Sequence, residues 1–574
     1  MARPRVELHR PERWDNPFSP EMTAEQVERL LAMPPFDEID ASKFPPTNSL
    51  ADIVRNDTRI RDFAPGDIVV READYGNSAF VILDGRVRVI QAPPLPAQAL
   101  GRQPPRRRSP WQALAQLWTN PRTAERRDAA RYRGDAQVRL TRAGEDEFRV
   151  TLADPDGVIA RHRTAQMGPG EMFGEIAAVA RGARAATVFA ETRATLLEIR
   201  WQGLRDMRRR DARFRDKVDE LYRKRALGAH MRESPLFKGL DDEPMKEVSR
   251  TTQFASFGEF DWHTSYKALA GKTAPERLED EPIIVTEDQV ADALIMVRSG
   301  FARVSERVDH GHRTVNYLGP GDVFGLAEIV YNWRNDAHIT YQHTLRATGS
   351  VEVLRVPAQV IREHVLPGLP RALLPPPIVP RSGARSAWQA DRVAEDIPPA
   401  MLEFLVDNRL INGTAAMVID VDRCTRCDEC VKACAATHDN NPRFVRHGLL
   451  FDHFMVANAC MHCVDPVCMI GCPTGAIHRN VQAGQVVIND DTCIGCGSCA
   501  NACPYNNIRL VDIRDDDGNF MLDEATNMPL EKATKCDLCA DQIGGPACQR
   551  ACPNDALVRI NLRDLDRLAE WVGR

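Results

Sequence analysis

Sixteen cysteines carry the most distinctive chemistry in this sequence of 574 residues, and all of them lie between Cys424 and Cys552. Thiolates are strong ligands for metal ions and for iron–sulfur clusters. In a reducing compartment, cysteines at this density favour metal binding over a disulfide framework. Their spacing divides them into four groups of four: Cys424, Cys427, Cys430 and Cys434; Cys460, Cys463, Cys468 and Cys472; Cys493, Cys496, Cys499 and Cys503; and Cys536, Cys539, Cys548 and Cys552.

The spacing distinguishes between two kinds of metal site. The third group reads C-x2-C-x2-C-x3-C-P, the run that binds [4Fe–4S] clusters in bacterial ferredoxins, and the first group repeats its four-cysteine spacing. Three thiolates on one tight loop bind one face of a cluster, and the fourth, on the helix that follows, ligates a neighbouring cluster. Structural zinc uses two separated C-x2-C pairs and does not require the additional cysteines. We therefore predict that all sixteen cysteines are cluster ligands.

Residues 415–560 resemble the four-cluster iron–sulfur subunits of dimethyl sulfoxide reductase, formate dehydrogenase and hydrogenase complexes. The resemblance rests on the order of the four motifs, on the x4 gap in the second and on the x8 gap in the fourth. Some members of that family have an aromatic residue in place of one ligand of the third motif, whereas Cys496 is kept here, so the resemblance implies four [4Fe–4S] clusters. It also implies the ligand sets: Cys424, Cys427, Cys430 and Cys552; Cys536, Cys539, Cys548 and Cys434; Cys460, Cys463, Cys468 and Cys503; and Cys493, Cys496, Cys499 and Cys472.

Nothing else in this region predicts substrate chemistry. Four histidines lie near the motifs, but complete cysteine quartets leave them as surface residues or as neighbours of the ligands: His438, His447, His453 and His462. The whole chain lacks a Ser/His/Asp set, a P-loop and a dinucleotide-binding fingerprint, so no catalytic residue is expected. Four clusters in a row predict an electron relay. Its direction stays open, because [4Fe–4S] potentials span about −700 to +450 mV.

A second candidate site lies in the N-terminal half. The run Gly168-Pro-Gly-Glu-Met-Phe-Gly-Glu-Ile-Ala, followed by Arg184-Ala-Ala-Thr-Val, resembles the phosphate-binding cassette of cyclic nucleotide-binding domains, over about residues 63–230. In such a cassette a short helix presents backbone N–H groups to the phosphate, and an arginine adds charge-assisted hydrogen bonds. The resemblance implies a cyclic nucleotide held by Glu175 on the ribose, by Arg184 on the phosphate, and by the backbone near Gly174, Ile176 and Ala185. A domain kept only as a scaffold, with Glu175 paired to Arg184, is the alternative.

The same plan returns further along the chain and indicates an internal duplication. SAFVILDGRVRV corresponds to DALIMVRSGFARV, and MGPGEMFGE corresponds to LGPGDVFGL. In the second copy Leu326 occupies the position of the ribose-binding glutamate and Tyr341 that of the phosphate-binding arginine; Glu328 or Arg334 would compensate only through a shifted loop. We therefore predict a degenerate site whose domain serves assembly.

An arginine-rich insertion, residues 92–163, interrupts the first copy. It contains Arg106, Arg107, Arg108, Trp111 and Trp118, a composition that suggests nucleic-acid binding. Acidic residues dilute this charge, and the chain carries −6 overall. No helix-turn-helix pattern follows either copy. A solvated face or a subunit contact is the preferred interpretation, with no nucleic-acid partner; the acids are Glu125, Asp128, Glu145, Asp146 and Glu147.

These observations predict a multidomain protein with two β-barrel domains, each a β-roll with flanking helices, followed by an α+β polyferredoxin domain. The predicted boundaries are an N-terminal strap at 1–50 with a short helix around Glu25–Leu31, a first cyclic nucleotide-binding-like domain at 51–230, a degenerate second one at 231–365, a Pro-rich linker at 366–400 and the ferredoxin-like domain at 401–574. The insertion core, VRLTRAGEDEFRVTL, is expected to form a hairpin.

The predicted function is that of an electron-transfer subunit in a cytoplasmic multisubunit oxidoreductase. Its partners would be a catalytic subunit (a hydrogenase, molybdopterin or flavin enzyme) and a second redox protein, in a hetero-oligomer. No run approaches the roughly 20 apolar residues of a membrane-spanning helix, and no apolar region of a signal peptide follows the N-terminal charges. The alternative is a sensor that responds to a cyclic nucleotide or to cluster oxidation, without catalytic electron flow.

Overall fold

The computed structural model describes residues 12–100, 102, 109–112, 115, 123–127, 139–142, 148–180, 182–258, 276, 278, 281–308, 311–378, 397–480, 484–523 and 527–573. Several residues named above lie outside the described ranges: Arg106, Arg107, Arg108, Trp118, Asp128, Glu145, Asp146, Glu147 and the linker residues 379–396.

The strands of the first β-unit form two antiparallel sheets, in the orders β1-β10-β3-β8 and β2-β9-β4-β7. The predicted β-roll is confirmed, and its two four-stranded sheets do not close into a barrel. Strands β5 and β6 form the hairpin predicted in the insertion. The strands are β1 Thr58–Phe63, β2 Ile68–Val70, β3 Ser78–Asp84, β4 Val87–Ala92, β5 Arg139–Arg142, β6 Phe148–Thr151, β7 Arg163–Met167, β8 Met172–Phe173, β9 Thr187–Ala190 and β10 Ala194–Arg200.

Helices pack against both of these sheets. The predicted N-terminal helix is present and begins after Thr23, whose side chain and that of Gln26 form a capping box. The segment before β1 does more than cross the surface, since Trp14, Leu30 and Phe36 are buried in a core with Leu204. The helices are α1 Ala24–Leu31, α2 Leu50–Asp57, α3 Pro155–Arg161, α4 Glu175–Ala180, α5 Trp201–Arg210, α6 Ala212–Tyr222 and α7 Gly228–Glu233, with a π-helical turn at Arg223–Leu227.

The second β-unit repeats the first. Its sheet orders, β11-β18-β13-β16 and β12-β17-β14-β15, have the same pattern of neighbours. The elements are β11 Gln253–Phe257, β12 Ile283–Val285, β13 Ala293–Ser299, β14 Ala302–Val308, β15 Gly311–Leu318, β16 Val323–Phe324, β17 Thr344–Ala347 and β18 Val351–Pro357, with α8 Asp242–Thr251, α9 Leu326–Asn335 and α10 Ala358–Val360.

The C-terminal region combines short sheets with the cysteine loops. A four-stranded sheet has the order β20-β21-β19-β26, and two hairpins pair β22 with β23 and β24 with β25. The elements are β19 Ala416–Asp420, β20 Phe444–Phe451, β21 Phe454–Ala459, β22 Ile477–Arg479, β23 Val486–Ile488, β24 Arg509–Asp512, β25 Glu531–Thr534 and β26 Leu557–Ile560, with α11 Pro399–Asp407, α12 Glu429–Thr437, α13 Ser498–Ala502, α14 Ala547–Arg550 and α15 Leu565–Val572.

The second β-unit packs directly on the C-terminal region. Phe301 and Tyr317 share an apolar core with Met401 and Trp571. Beside this core the fully buried Arg303 pairs with Glu281 at 2.9 Å and also contacts Glu403 of α11. Removing one partner of such a buried pair leaves an uncompensated charge, so these contacts hold the two regions in one arrangement. Among the described helices none is long and apolar enough to cross a bilayer.

Candidate iron–sulfur centres and nucleotide site

Three cavities in the C-terminal region are each lined by four cysteines. All sixteen thiols are free of disulfides. The quartets around the cavities are the ones that the resemblance implies: site B with Cys460, Cys463, Cys468 and Cys503; site A with Cys424, Cys427, Cys430 and Cys552; and site C with Cys472, Cys493, Cys496 and Cys499.

The four remaining cysteines form site D. Burial raises the pKa of the Cys548 thiol to about 12; the charge of Arg559 opposes this rise, and the neighbouring thiols of Cys536, Cys434 and Cys539 add to it. Helix α12 carries Cys430 and Cys434 one turn apart, and Cys548 on α14 is followed by Cys552 just beyond its end. Each of these two elements therefore gives one ligand to site A and one to site D.

The spacing of the sulfur atoms distinguishes a cluster from a single ion. Tetrahedral zinc has Zn–S bonds of about 2.3 Å, which hold its ligand sulfurs about 4 Å apart. Within the described ranges, which include every cysteine, no three cysteine sulfurs lie within 4.8 Å of one another. The quartets are therefore too open for one zinc ion and instead leave a cavity among four thiols, which fits a [4Fe–4S] cluster.

Backbone amides are directed at the ligand sulfurs, as thiolate ligands require. The amide of Arg443 donates to Cys434 at 3.2 Å and that of Ala556 donates to Cys552 at 3.2 Å. Further amide donors at 3.4 Å serve Cys503, Cys493 and Cys539. Without a metal, burial raises the pKa of the Cys499 thiol to about 12 and that of Cys430 to about 11. Bound iron deprotonates such thiols, and the amides then stabilise the anionic sulfur.

Contacts between neighbouring sites give the spatial order of the four sites. Sites A and D share α12 and the turn after α14. Arg559 on β26 connects D with B: its Nη2 donates to Cys536 Sγ at 2.9 Å and its Nη1 to the Cys460 carbonyl at 3.5 Å. Sites B and C share one apolar core, in which Cys468 and Cys503 of site B pack against Cys493 and Cys499 of site C. The order is A, D, B, C, and both ends reach the surface, where the thiols of Cys427 in site A and Cys496 in site C are exposed.

Several charged residues near the sites were not predicted from the sequence. Arg559 lies on a strand beyond the last motif and gives no sequence signal. Lys532 and Lys535 are buried, and their ammonium groups donate to the carbonyls of Cys493 at 2.5 Å and Cys536 at 3.0 Å. Lys532 and Lys535 precede Cys536 by four residues and by one residue, so their closeness to the fourth motif in the sequence could have identified them.

The four histidines differ in their surroundings. His438 lies beside site D: its Nε2 lies 2.9 Å from Asp537 Oδ1 and its Nδ1 lies 3.8 Å from Cys434 Sγ. Burial opposes the imidazolium, but the hydrogen bonds with Asp537 and Cys434 outweigh it and raise the pKa of His438. His462 is buried and accepts from the Val486 amide, while His447 is exposed and His453 pairs with a neighbouring acid.

In the first β-unit the predicted nucleotide residues lie around the start of α4. Gly174 adopts a φ of +76° and precedes Glu175. Arg184 is buried, its Nη1 donates to the carbonyls of Ser78 at 2.6 Å and Gly174 at 2.9 Å, and burial lowers its pKa to about 10. Ile176 packs partly against the core of the second unit, whereas Ala185 is exposed.

Glu175 has a partner that the sequence did not suggest. Its carboxylate accepts from Arg225 of the π-helical turn at 2.7 Å, instead of making the alternative pair with Arg184. Burial raises the pKa of Glu175, while the charge of Arg225 opposes that change. The cassette is therefore joined to the helical segment that leads into the second β-unit.

The corresponding position of the second β-unit is filled by protein. The Tyr341 ring is buried and stacks on Phe324 with 5.5 Å between ring centroids, and its hydroxyl donates to the Ala293 carbonyl at 2.7 Å. Glu328 is buried and accepts from the Gln342 amide at 3.0 Å. Both side chains are therefore engaged in contacts within the second β-unit, which favours the predicted degenerate site.

Part of the insertion contacts the C-terminal region of the same chain. Residues 123–127, the docking segment, pair with Arg514 through backbone hydrogen bonds of 2.9 and 3.0 Å. The buried Glu125 accepts from Arg443 and from Asn441, and Arg127 contacts Asp490. The insertion was predicted to be a solvated face or a subunit contact, and this segment of it instead contacts another region of the same chain. Trp111, elsewhere in the insertion, is 80% exposed.

Comparisons with known proteins agree with both parts of the chain. The cyclic nucleotide-binding domain model matches residues 146–211 and 275–365, the 4Fe-4S dicluster domain model matches 451–561 and the 4Fe-4S binding domain model matches 421–437. Electron transport protein HydN of Escherichia coli is 33% identical over 170 residues, which are 27% of this chain and 91% of that protein. Thiosulfate reductase electron transfer subunit PhsB of Salmonella typhi is 31% identical over 173 residues, which are 28% of this chain and 81% of that protein.

A similar solved structure is the regulatory domain of Toxoplasma gondii PKA with cAMP. It is 15% identical, with a TM-score of 0.20, and the match covers 60% of this chain and 93% of that one. A cyclic nucleotide-binding protein of Geobacter metallireducens is 22% identical, with a TM-score of 0.17 and coverage of 24% and 80%.

Proposed function

Because this chain belongs to the family of [4Fe–4S] electron-transfer proteins and carries cyclic nucleotide-binding domains ahead of its clusters, we propose that it is the iron–sulfur subunit of a multisubunit oxidoreductase. Electrons would pass through four [4Fe–4S] clusters at sites A, D, B and C. The observation that carries the proposal is the grouping of the sixteen cysteines, twelve of them around the cavities of sites A, B and C, with an exposed cysteine at each end of the series.

The protein residues have three tasks in this relay. A [4Fe–4S] cluster accepts and returns one electron, and its potential depends on hydrogen bonding, charge and exposure. The sixteen thiolates hold the clusters, and the amide donors at Cys434, Cys552 and the other ligands stabilise the added negative charge. Arg559 and Lys535 place positive charge at the inner sites, between A and C.

The two exposed ends imply two electron partners. Related proteins are named as the iron–sulfur or electron transfer subunits of arsenate and thiosulfate reductases, which supports a catalytic oxidoreductase subunit at one end. A second redox protein would exchange electrons at the other, giving a hetero-oligomer without nucleic acid. Sixteen unbridged thiols suit a reducing compartment, so the cytoplasm is the proposed location.

The β-units would serve docking and regulation. The first retains the residues of a nucleotide cassette, and we assign the cyclic nucleotide to Glu175, Arg184 and the backbone at Gly174, Ile176 and Ala185. The second, whose pocket Tyr341 fills, would hold the assembly together through Arg303 and Glu403. The rival function is a sensor that uses the same nucleotide site without passing electrons to a catalytic partner.

Purification of the tagged full chain from its native host under anaerobic conditions tests the subunit role. An oxidoreductase catalytic subunit is expected to co-purify, identified by mass spectrometry against a tag-only control. Cys427→Ser and Cys496→Ser, at opposite ends, are each expected to leave that complex assembled and to slow electron exchange between its subunits. A chain that purifies alone with full iron content would favour the sensor.

A further inference from the structure

A short loop joins the candidate nucleotide site to the iron–sulfur region. Residues 71–76, the coupling loop, follow β2 and pair with the backbone of the cassette. The amide of Ala73 donates to the Arg184 carbonyl at 2.8 Å, and the amide of Arg184 donates to the Asp74 carbonyl at 2.8 Å. Gly76 donates to Gly182 at 3.0 Å. A displacement of the Arg184 backbone therefore displaces this loop.

The other side of the loop is embedded in the cluster region. Tyr75 is 8% exposed and belongs to the apolar core that contains Met469, Ile477 and Cys493. Its hydroxyl donates to Asp465 Oδ1. Arg71 lies against Gly475, where a Cβ would come within 2.6 Å of its Nη1 at a φ of +67°. The loop is therefore packed tightly on the loops that carry the ligands of sites B and C.

Asp465 is placed to transmit a change of charge. It stands between Cys463 and Cys468, both ligands of site B, and it lines the site B cavity. Its backbone is held by Asn412, which accepts from the Asp465 amide at 2.8 Å and donates to its carbonyl at 3.2 Å. The carboxylate thus stays beside the site, and one of its hydrogen-bond donors, the Tyr75 hydroxyl, comes from the first β-unit.

We propose that the coupling loop links cyclic nucleotide binding at Arg184 to the redox state of site B. The inference rests on the proposed cluster and nucleotide sites and adds their regulation. To reach a phosphate, Arg184 must release the carbonyls of Ser78 and Gly174. The resulting movement of the loop withdraws Tyr75 from Asp465. The loss of this hydrogen bond leaves the negative charge of Asp465 less stabilised beside site B and disfavours the added electron, so nucleotide binding lowers the site B potential.

By linkage, the factor by which nucleotide binding disfavours the reduction of site B is also the factor by which reduction of site B weakens nucleotide binding. The test measures the dissociation constant of cyclic AMP, and separately of cyclic GMP, by anaerobic calorimetry on the full chain. One sample is oxidised and the other is reduced with dithionite, which supplies one electron to the site. Coupling between sites is commonly about 5- to 150-fold in affinity, so binding at least about fivefold weaker in the reduced protein is expected. A tenfold ratio corresponds to a shift of about 59 mV in the one-electron potential.

Tyr75→Phe is the diagnostic variant, because it keeps the buried ring and removes the hydroxyl. It is expected to bind the nucleotide with a redox ratio near one, as is Asp465→Asn. Tyr505→Phe is the matched control. The Tyr505 hydroxyl lies beside the same cavity and donates to the Arg409 carbonyl at 2.8 Å, and Arg409 does not belong to the first β-unit. This variant should keep the wild-type redox ratio.

The outcomes separate the coupling from the functions it rests on. Equal affinities in the oxidised and reduced wild type, or an unchanged ratio in Tyr75→Phe, overturn the coupling and leave the nucleotide site and the clusters standing. Absence of binding in both states overturns the nucleotide site and the coupling together, and iron content then shows that the clusters are intact.

Discussion

Arg559 is expected to raise the potential of site D, and its replacement provides a quantitative test of the order of the sites. The side chain is buried between sites D and B, and its Nη2 lies 2.9 Å from Cys536 Sγ. Arg559→Met removes this charged donor and keeps much of the apolar stem. The anionic sulfur then carries the added electron with less stabilisation, so the potential of site D falls.

The magnitude follows from the one hydrogen bond that is lost. A hydrogen bond to a charged group contributes about 1.5–3 kcal/mol. For a one-electron couple 1.4 kcal/mol corresponds to about 59 mV. Arg559→Met should therefore lower one midpoint potential by about 60 to 130 mV, while the sites distant from Cys536 shift less. Arg559→Lys keeps the positive charge and should recover part of the difference.

The assay is a potentiometric titration of the anaerobic full chain, followed by electron paramagnetic resonance. Arg550→Met is the matched control, because it removes an exposed arginine from α14, between Cys548 and Cys552, where solvent and salt screen the charge. Circular dichroism confirms that the variants fold. No shift in Arg559→Met, or an equal shift in Arg550→Met, would refute the assigned contact between Arg559 and site D.

Three further predictions concern two buried ion pairs and one proposed cluster ligand. Glu125→Gln should reduce the free energy of unfolding by about 3–5 kcal/mol, because Arg443 loses its buried counter-charge; urea denaturation measures this. Burial would raise the pKa of Glu125, but Arg443 and Arg127 outweigh burial and lower it. The stabilisation that the Glu125 carboxylate gives is therefore present above the ordinary carboxyl pKa and is lost as the pH falls through the lowered pKa of the folded protein. A Glu125→Gln variant that is as acid-sensitive as the wild type would contradict this. Arg303→Met should lower the melting temperature far more than Arg313→Met, whose side chain is 52% exposed, and equal effects would disprove the buried lock. Cys496→Ser should remove the spectroscopic signal of one terminal cluster, and a chain with all its signals retained would exclude Cys496 as a ligand.

The cysteine sites were accessible to sequence reasoning because local spacing encodes them. C-x2-C-x2-C-x3-C steps keep four thiols close along the chain; in the first motif Cys424 and Cys427 precede α12, whereas Cys430 and Cys434 lie on it. The duplication was visible for the same reason, since matching glycine turns flank matching strands. The degenerate second site could also be predicted from Tyr341, because a tyrosine cannot replace a phosphate-binding arginine.

Contacts between distant segments were not accessible. Glu125 looks like an acid that dilutes an arginine-rich surface, yet it is buried against Arg443, more than 300 residues away. Arg225 pairs with Glu175 across 50 residues, and no local pattern predicts that choice. The separation of each predicted barrel into two sheets also depends on pairing between distant strands, which hydrophobic alternation does not specify.

Counting iron and electrons in the intact chain addresses the relay itself. Protein purified anaerobically should contain about 16 iron atoms and about 16 acid-labile sulfides per chain, and dithionite should deliver about four electrons, one to each quartet. Zinc in place of iron, or about half that iron with two electrons in fully folded protein, would contradict a relay of four clusters.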